Sequence, residues 1–273
     1  MARPVQIVRR KAWRGHEMIA GERAIPEETA TAFSFNGSSY AVMMATPQDF
    51  EDFAVGFSLT EGVIGEEADI SSLEVIESDL GVELRMWLKE PRAAALVERR
   101  RYLAGPTGCG LCGIESLAEA MRTQPAVSDD VQFSAEEIMA AVAAVTEKQV
   151  LNEQTRAVHG AAFWHPAEGL VAVREDVGRH NALDKLVGAL ARSGRSGRGG
   201  IGILTSRISV EMVQKTAAAK IPVLVAVSAP TALAVRTANA AGITLVAVAR
   251  RDGFEVFTHP GRITETQLVH ASN

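Results

Sequence analysis

The sequence predicts an α/β protein with a β-rich N-terminal region and a three-layer α/β/α C-terminal domain. In the first hundred residues, short segments of alternating apolar and polar residues are separated by turn residues, which is typical of hairpins. From about residue 130, apolar segments alternate with amphipathic ones, as in a sheet that helices cover on both faces. The chain has 273 residues, 47% of them hydrophobic, which is enough to bury cores of this size.

The N-terminal region, residues 1–104, is predicted to form hairpins around one helix. Asn36 and Gly37 form a pair that tolerates the positive φ of a tight turn, and apolar alternation flanks them on both sides. A second alternating pair meets at Asp79 to Gly81. The predicted strands are residues 29–35, 38–46, 72–78 and 82–88.

The helix is predicted between these hairpins, over residues 49–62. Thr46 offers a capping side chain, Pro47 suits the first helical position, and Asp49 places an acid in the first turn. The segment that follows is amphipathic.

The character of the chain changes after residue 104. Residues 105–129 are rich in glycine, which argues against regular structure and indicates a loop and linker. Ser134 and Glu137 then form a capping-box pattern that begins a helix. We therefore predict a domain over residues 130–262 and a short tail over residues 263–273.

The C-terminal domain is predicted from a regular alternation of strands and helices. Its strands are near-continuous apolar runs, which favours at least some parallel pairing. The predicted strands are residues 169–175, 200–206, 222–228 and 243–249, and the predicted helices are residues 179–193, 209–219 and 231–241.

Composition excludes some classes of function. A net charge of -5 and a pI near 5.8 argue against a surface that coats nucleic acid or anionic lipid. Arginines interrupt the first 15 residues where a signal peptide needs an apolar run, and Pro222 and Pro230 interrupt the longest apolar segment. We expect a soluble cytoplasmic protein that binds neither nucleic acid nor membrane.

The two cysteines, Cys109 and Cys112, lie in the glycine-rich loop as GCGLC. A zinc site needs two further ligands, and no two of the six histidines lie at ligand spacing, so no metal is expected. A thioredoxin-like dithiol would open a helix after a strand, whereas this pair lies in a loop between domains. Neither alternative is eliminated by the motif alone.

Sulfur transfer is the third interpretation of the thiol pair. It requires a reactive thiolate that two large partners can reach in turn, and neighbouring glycines provide access and mobility. Arg99, Arg100 and Arg101 upstream, and a helix start predicted just after Cys112, favour a depressed thiol pKa. A solvated helix face is the simpler interpretation of the arginine run.

Several motifs resemble those of the formate dehydrogenase accessory sulfurtransferases, the FdhD family. The resemblance runs from about residue 25 to THPGRI near the end of the chain, and its motifs agree in order and spacing. They are DFEDFAVGFSLTEGVI, GCGLCG, REDVGRHNALDKLVG, TSRISVEMVQK and SAPTALAV.

The resemblance implies a carrier that receives sulfur from a cysteine desulfurase and delivers it to the molybdenum of a bis-guanine-dinucleotide cofactor, before that cofactor enters formate dehydrogenase. Cys109 would carry the persulfide, with Cys112 assisting or resolving. The resemblance also implies a homodimer and a C-terminal domain folded like cytidine deaminases. Deaminase chemistry is excluded, because neither HGA at His159 nor SAPTALAV supplies the zinc ligands.

One departure concerns the segment before His159. Many members of the family have a run of small residues there, whereas this chain has TRAVH, with Arg156 and Ala157 in the run. The resemblance therefore does not extend to Arg156 and Ala157.

The cofactor is expected at strand ends, where backbone N–H groups, cations and helix N-termini can hold phosphates. EDVGRHN follows one predicted strand and offers Asp176, Gly178, Arg179, His180 and Asn181. TSRIS follows the next strand and offers Ser206 and Arg207. An ordinary capped helix is the simpler interpretation of the first motif.

The stretch VARRDG follows the last apolar strand, and by resemblance it contacts the molybdenum cofactor. His159 is also a candidate cofactor-binding residue. A hairpin turn with solvated arginines fits the same spacing. The residues of VARRDG are Val248, Ala249, Arg250, Arg251, Asp252 and Gly253.

Asp184 and Lys185 are expected to form a surface pair on their helix.

Sulfur transfer through Cys109 is the working hypothesis for the chain. Two alternatives stay open: a module that shelters the finished cofactor without transferring sulfur, and a dithiol oxidoreductase that forms a reversible Cys109–Cys112 disulfide.

Overall fold

The fold is described from a computed structural model, which covers residues 3–90, 92–94 and 126–264. Cys109, Cys112 and the arginines at 99–101 lie outside the described residues. So does most of the predicted linker.

The described chain begins with a long hairpin. Strand β1 (Val5–Arg14) pairs antiparallel with β2 (Glu17–Pro26) through ten residue pairs. Gly15 and His16 form the turn, both at positive φ. The hairpin is not among the elements predicted above, because arginines and lysine interrupt the alternation that would have indicated its strands.

A four-stranded sheet follows, in the order β4-β3-β6-β5, with β3 and β6 parallel. Both predicted hairpins are confirmed, and Asn36 and Gly37 have the positive φ that their turn requires (50° and 75°). Its strands are β3 (Thr29–Phe35), β4 (Ser38–Ala45), β5 (Ile70–Ser78) and β6 (Gly81–Leu88).

Helix α1 (Phe50–Thr60) covers one face of this sheet, where Phe33 packs against Phe53 and Phe57. The predicted helix is confirmed, but Pro47 is not its first helical position, because α1 begins three residues later at Phe50. Thr46 does not cap α1: its N–H donates to Asp176, and its hydroxyl accepts from the N–H of Val177.

The second half contains a six-stranded sheet in the order β13-β12-β11-β10-β8-β9. Strands β10, β11 and β12 are parallel, and β8 and β13 run antiparallel to their neighbours. Strand β8 is missing from the predicted elements. The strands are β8 (His159–His165), β9 (Gly169–Asp176), β10 (Ile201–Leu204), β11 (Val223–Ala226), β12 (Thr244–Arg250) and β13 (Gly253–Val256), and a short parallel pair joins β7 (Phe133–Ser134) to β14 (Ile263–Thr264).

Helices cover this sheet on both faces, so the predicted three-layer arrangement is confirmed. One face packs on α2, and the other packs on α4, α5 and α6. The more specific likeness to cytidine deaminases stays a prediction. The helices are α2 (Ala135–Thr146), α3 (Val150–Thr155), α4 (Arg179–Arg192), α5 (Val210–Ala218) and α6 (Ala232–Ala240), with 3-10 turns at Glu67–Asp69 and Pro260–Arg262.

The two halves meet where α1 packs on α4. The helices approach closely because Gly56 faces the backbone carbonyl of Asp184 and Gly188 faces that of Asp52, where a Cβ atom would clash. In the part of the chain that is described, no helix is both long and apolar enough to cross a bilayer.

Candidate functional site

The candidate site lies at the carboxyl edge of the six-stranded sheet. Strands β9 and β10 both run antiparallel to β8, so the carboxyl ends of β9, β10, β11 and β12 meet at one edge. Ligands of open α/β sheets bind at such edges. The predicted motifs EDVGRHN, TSRIS and VARRDG follow three of these strands and therefore come together.

His159 joins them because β8 runs the opposite way and begins at this edge, where His159 pairs with Asp176. The amide N–H of Gly160 donates to the hydroxyl of Thr205 (2.9 Å), which ties the start of β8 to the end of β10. The structure thus brings His159 close to Ser206, across a contact that sequence spacing does not reveal.

Helices α4, α5 and α6 all begin at this edge. Gly178 is the N-cap of α4 and has no side chain to satisfy the first N–H groups of the helix. Thr231, by contrast, caps α6 by accepting from the N–H of Ala234. The N-terminus of α4 therefore presents uncapped N–H groups beside the cation Arg179, and Arg207 follows β10 at the same edge of the sheet, which favours an anionic ligand.

Electrostatics at the start of α4 centre on Arg179. Burial lowers the pKa of His159 and of His180, and the guanidinium of Arg179 lowers both further. The Ser209 side chain lowers the pKa of Glu211, with smaller contributions from His180 and Arg179. Near neutral pH the edge thus combines a cation, an anion and two neutral imidazoles that can donate or accept hydrogen bonds.

Three buried side-chain nitrogens at this edge have no hydrogen-bond partner among the described residues. They are Nε of Arg179, Nε2 of His180 and Nε2 of Gln149. Gln149 is 7% exposed, and its amide lies against Gly160 in the space that any larger residue there would fill. Buried polar groups without a hydrogen-bond partner are rare in folded proteins, and a bound ligand is one common reason for them. Sequence reasoning missed Gln149, which belongs to no motif.

Asp176 and Asn181 lie beneath the site. Asp176 is fully buried, and its carboxylate binds the Lys185 ammonium (2.7 Å) and accepts from the N–H groups of Thr46 and Gly178. Asn181 donates to the same carboxylate and to the carbonyl of Met44. Both oxygens of Asp176 are therefore occupied, so Asp176 holds the β9–α4 turn in place and has no free oxygen for a ligand.

The predicted surface pair of Asp184 and Lys185 is wrong. Both side chains are fully buried, and each binds a different partner: Lys185 binds Asp176, and Asp184 binds Lys215 (2.9 Å). Consecutive residues of a helix do not face each other, and α1 covers this face of α4.

The segment Val248–Gly253 comprises the end of β12, the two-residue β12–β13 turn and the first residue of β13. Val248 has a φ of 53°, an outlier for a β-branched residue, at a bulge in β12. Ala249 is buried, whereas Arg250 and Arg251 are exposed and border a cleft of about 540 Å³ against α2. The hairpin-turn interpretation is confirmed, and both arginines are exposed where a ligand in the cleft could reach them. Ser206 is buried and donates to the carbonyl of Arg207.

Comparison with known proteins gives concordant matches. The model of the FdhD/NarQ family matches residues 26–264. The chain is 56% identical over 257 residues to a sulfur carrier protein FdhD of Agrobacterium fabrum, covering 94% of this chain and 95% of that relative. It is 48% identical over 252 residues to one of Cupriavidus necator, covering 92% and 87%.

A solved structure is also similar. A crystal structure of a protein assigned as a formate dehydrogenase accessory protein from Desulfotalea psychrophila has a TM-score of 0.75 and 25% identity to this chain. The match covers 95% of this chain and 99% of that one.

Proposed function

The chain belongs to the FdhD/NarQ family, and we propose that it is a sulfur carrier that takes sulfur from a cysteine desulfurase and delivers it to the bis-guanine-dinucleotide molybdenum cofactor of formate dehydrogenase. The names of the similar proteins, sulfur carriers and a formate dehydrogenase accessory protein, support the carrier role. The buried polar groups at the carboxyl edge that have no partner among the described residues support a bound ligand.

The sulfur step begins at Cys109. Its thiolate attacks the outer sulfur of the donor's persulfide, the donor's S–S bond breaks, and Cys109 keeps the outer sulfur as its own persulfide. Delivery breaks this new S–S bond. Release of the outer sulfur as sulfide needs two electrons, which Cys112 can supply by forming a disulfide with Cys109.

The acceptor is expected at the carboxyl edge. The uncapped N-terminus of α4 and the side chains of Arg179, Arg207 and Arg250 suit phosphates. The neutral imidazoles and the Gln149 amide suit the donors and acceptors of a guanine or pterin ring. The observation that carries this assignment is that three buried nitrogens at the same edge, those of Gln149, Arg179 and His180, have no hydrogen-bond partner among the residues that the structure describes.

Mass spectrometry tests the carrier step. After incubation with a cysteine desulfurase and cysteine, the intact chain should gain about 32 Da, one sulfur atom. The gain should be absent in Cys109→Ala and reversed by a thiol reductant. A chain that never gains this mass is not a carrier, whatever it binds.

Calorimetric titration with guanosine diphosphate, which has the same base and phosphates, tests the ligand site. Arg179→Gln should weaken binding by about tenfold, because it removes a desolvated cation. Lys220→Gln is the matched control, since Lys220 is exposed beyond the far end of α5. Equal affinities of the two variants would place the nucleotide elsewhere.

The two experiments also separate the proposal from its main alternative. A module that only shelters the cofactor, using the same carboxyl edge, would bind the nucleotide without gaining sulfur mass. A carrier with a different acceptor site would gain the mass and bind equally well with or without Arg179.

A further inference from the structure

The cleft between α2 and the β12–β13 turn is lined by opposite charges. Arg250 and Arg251 belong to the turn, and Glu147 is the C-cap residue of α2. Within the described parts of the chain, no ion pair joins Glu147 to either arginine or to any other basic residue. The cleft, with a volume of about 540 Å³, therefore keeps a carboxylate and two guanidinium groups apart.

The position of Glu147 is unfavourable for a carboxylate. The carbonyl groups at the C-terminus of a helix carry a partial negative charge, and α2 has no basic residue in its last turn. Glu147 is exposed, so its charge does not contribute to the core. Residues that oppose the local electrostatics in this way are expected at functional sites. The end of α2 thus suits a ligand that donates hydrogen bonds.

The remaining walls of the cleft are mostly apolar. Met139, Val142 and Ala143 contribute side chains from α2, and Val227 follows β11. Ligand pockets commonly combine apolar walls with a few polar groups that fix the orientation of the ligand. This cleft therefore suits a flat ring that accepts hydrogen bonds along one edge and donates them along another.

Guanine has this arrangement of acceptors and donors. Its O6 and N7 atoms accept hydrogen bonds, and arginine binds them in a bidentate manner. Its N1–H and 2-amino groups donate, and a carboxylate can accept from both. Adenine has an amino group in place of O6 and a lone pair at N1, so it would present a donor to the arginine and an acceptor to the carboxylate.

We infer that Glu147 selects guanine, by accepting hydrogen bonds from N1–H and the 2-amino group while Arg251 donates to O6 and N7. This inference rests on the proposed function, because it takes the guanine nucleotide as the ligand, and it adds the residue that distinguishes guanine from other bases. Glu147 belongs to none of the motifs that carry the resemblance.

The distance between the cleft and the start of α4 fits a nucleotide. Helix α4 packs on β8 and β9, and β8 lies three strand spacings from β12, which is about 14 Å. An extended nucleoside diphosphate can bridge this distance, with its phosphates at the N-terminus of α4 and its base in the cleft. The amide of Gln149 lies between the two ends, against Gly160 of β8.

Calorimetric titration of the full chain with three nucleotides tests the inference. Guanosine diphosphate should bind about tenfold more tightly than inosine diphosphate, which lacks the 2-amino group, and about a hundredfold more tightly than adenosine diphosphate. In Glu147→Gln the preference over adenosine diphosphate should fall to about tenfold or less, because the glutamine amide presents a donor where guanine also donates. A purely structural role of Glu147 would weaken all three nucleotides alike.

Two control variants should keep the selectivity of the unchanged chain. Glu136→Gln changes an exposed carboxylate in the first turn of the same helix, about 16 Å away. Asp252→Asn changes a carboxylate of the β12–β13 turn that does not line the described cleft. Circular dichroism establishes that each variant is folded.

The titrations separate failure of this inference from failure of the proposed ligand site. A chain that binds none of the three nucleotides would overturn both. A chain that binds guanosine diphosphate but does not prefer it over adenosine diphosphate would overturn this inference alone. So would a Glu147→Gln variant with unchanged selectivity, or a loss of selectivity in Asp252→Asn.

Discussion

Two parts of this molecule withdraw polar groups from water, and they differ in whether those groups find partners. Where α1 packs on α4, the buried charges are paired. Lys185 binds Asp176, Lys215 binds Asp184, and Arg174 binds Asp52 (2.6 Å). Each pair offsets the cost of removing its charges from water.

At the carboxyl edge the pattern is the opposite. The buried nitrogens of Arg179, His180 and Gln149 have no partner among the described residues, although water would have bonded each of them in the unfolded chain. The comparison separates two uses of buried polarity. Paired charges show how the halves are held together, and unpaired groups show where a ligand is expected. The predictions below test this division, from the largest effect to the smallest.

Lys185→Met should produce the largest loss of stability, about 3–5 kcal/mol, because it leaves the carboxylate of Asp176 buried without its cation. Denaturant unfolding measures this loss. The double variant with Asp176→Asn should recover part of it, since no buried charge is then left unpaired. Lys220→Met, at an exposed site, is the control. A loss below about 1 kcal/mol would mean that the pair does not hold the halves together.

Gly56→Ala should cost about 1–3 kcal/mol, because the added methyl group meets the backbone carbonyl of Asp184 and forces α1 away from α4. Gly261→Ala is the matched control, since no atom lies within 4 Å of the position its Cβ would take. If both variants unfold at the same denaturant concentration, the close approach of the helices has no energetic role.

Sequence reasoning predicted the elements whose signals are local. The Asn36-Gly37 turn, the capping box of Ser134 and Glu137 and the alternation of the second half depend on neighbouring residues, and all three are present. Strand β8 was missed because HGAAFWH is a short buried run without alternation. The β1–β2 hairpin was missed because arginines and a lysine interrupt the apolar alternation that would have indicated its strands.

The candidate site was predictable in outline, because strand ends and helix starts can be read along the chain. Two features of the site could not be predicted, namely the burial of Lys185 and the position of Gln149. Lys185 looked like a surface residue, since nothing local shows that α1 covers it. Gln149 gave no signal, since its amide reaches the edge only after β8 pairs with β10. Both depend on contacts between distant segments, which spacing does not encode.

A smaller effect is expected from pH. Burial lowers the pKa of His180 below its ordinary value of 6.5, so below that pH the unfolded chain binds more protons than the folded chain. Stability should therefore fall as pH drops below about 6.5. His180→Gln should reduce this dependence while leaving that of His159, which has the same sign. The measurement is the free energy of unfolding between pH 5 and 8. If it depends on pH in the same way in His180→Gln and in the unchanged chain, the prediction is wrong.

The smallest change in stability should come from Gln149→Leu. This variant tests most directly whether unpaired buried groups mark a ligand site, as opposed to holding the fold together. The amide nitrogen has no hydrogen-bond partner in the described part of the chain, so an apolar side chain of similar size should change the free energy of unfolding by less than about 0.5 kcal/mol or stabilise the protein slightly. Guanosine diphosphate binding should nevertheless weaken by about tenfold, because the ligand loses a hydrogen bond in a desolvated site. A variant that is clearly destabilised and binds normally would show that Gln149 is a structural residue.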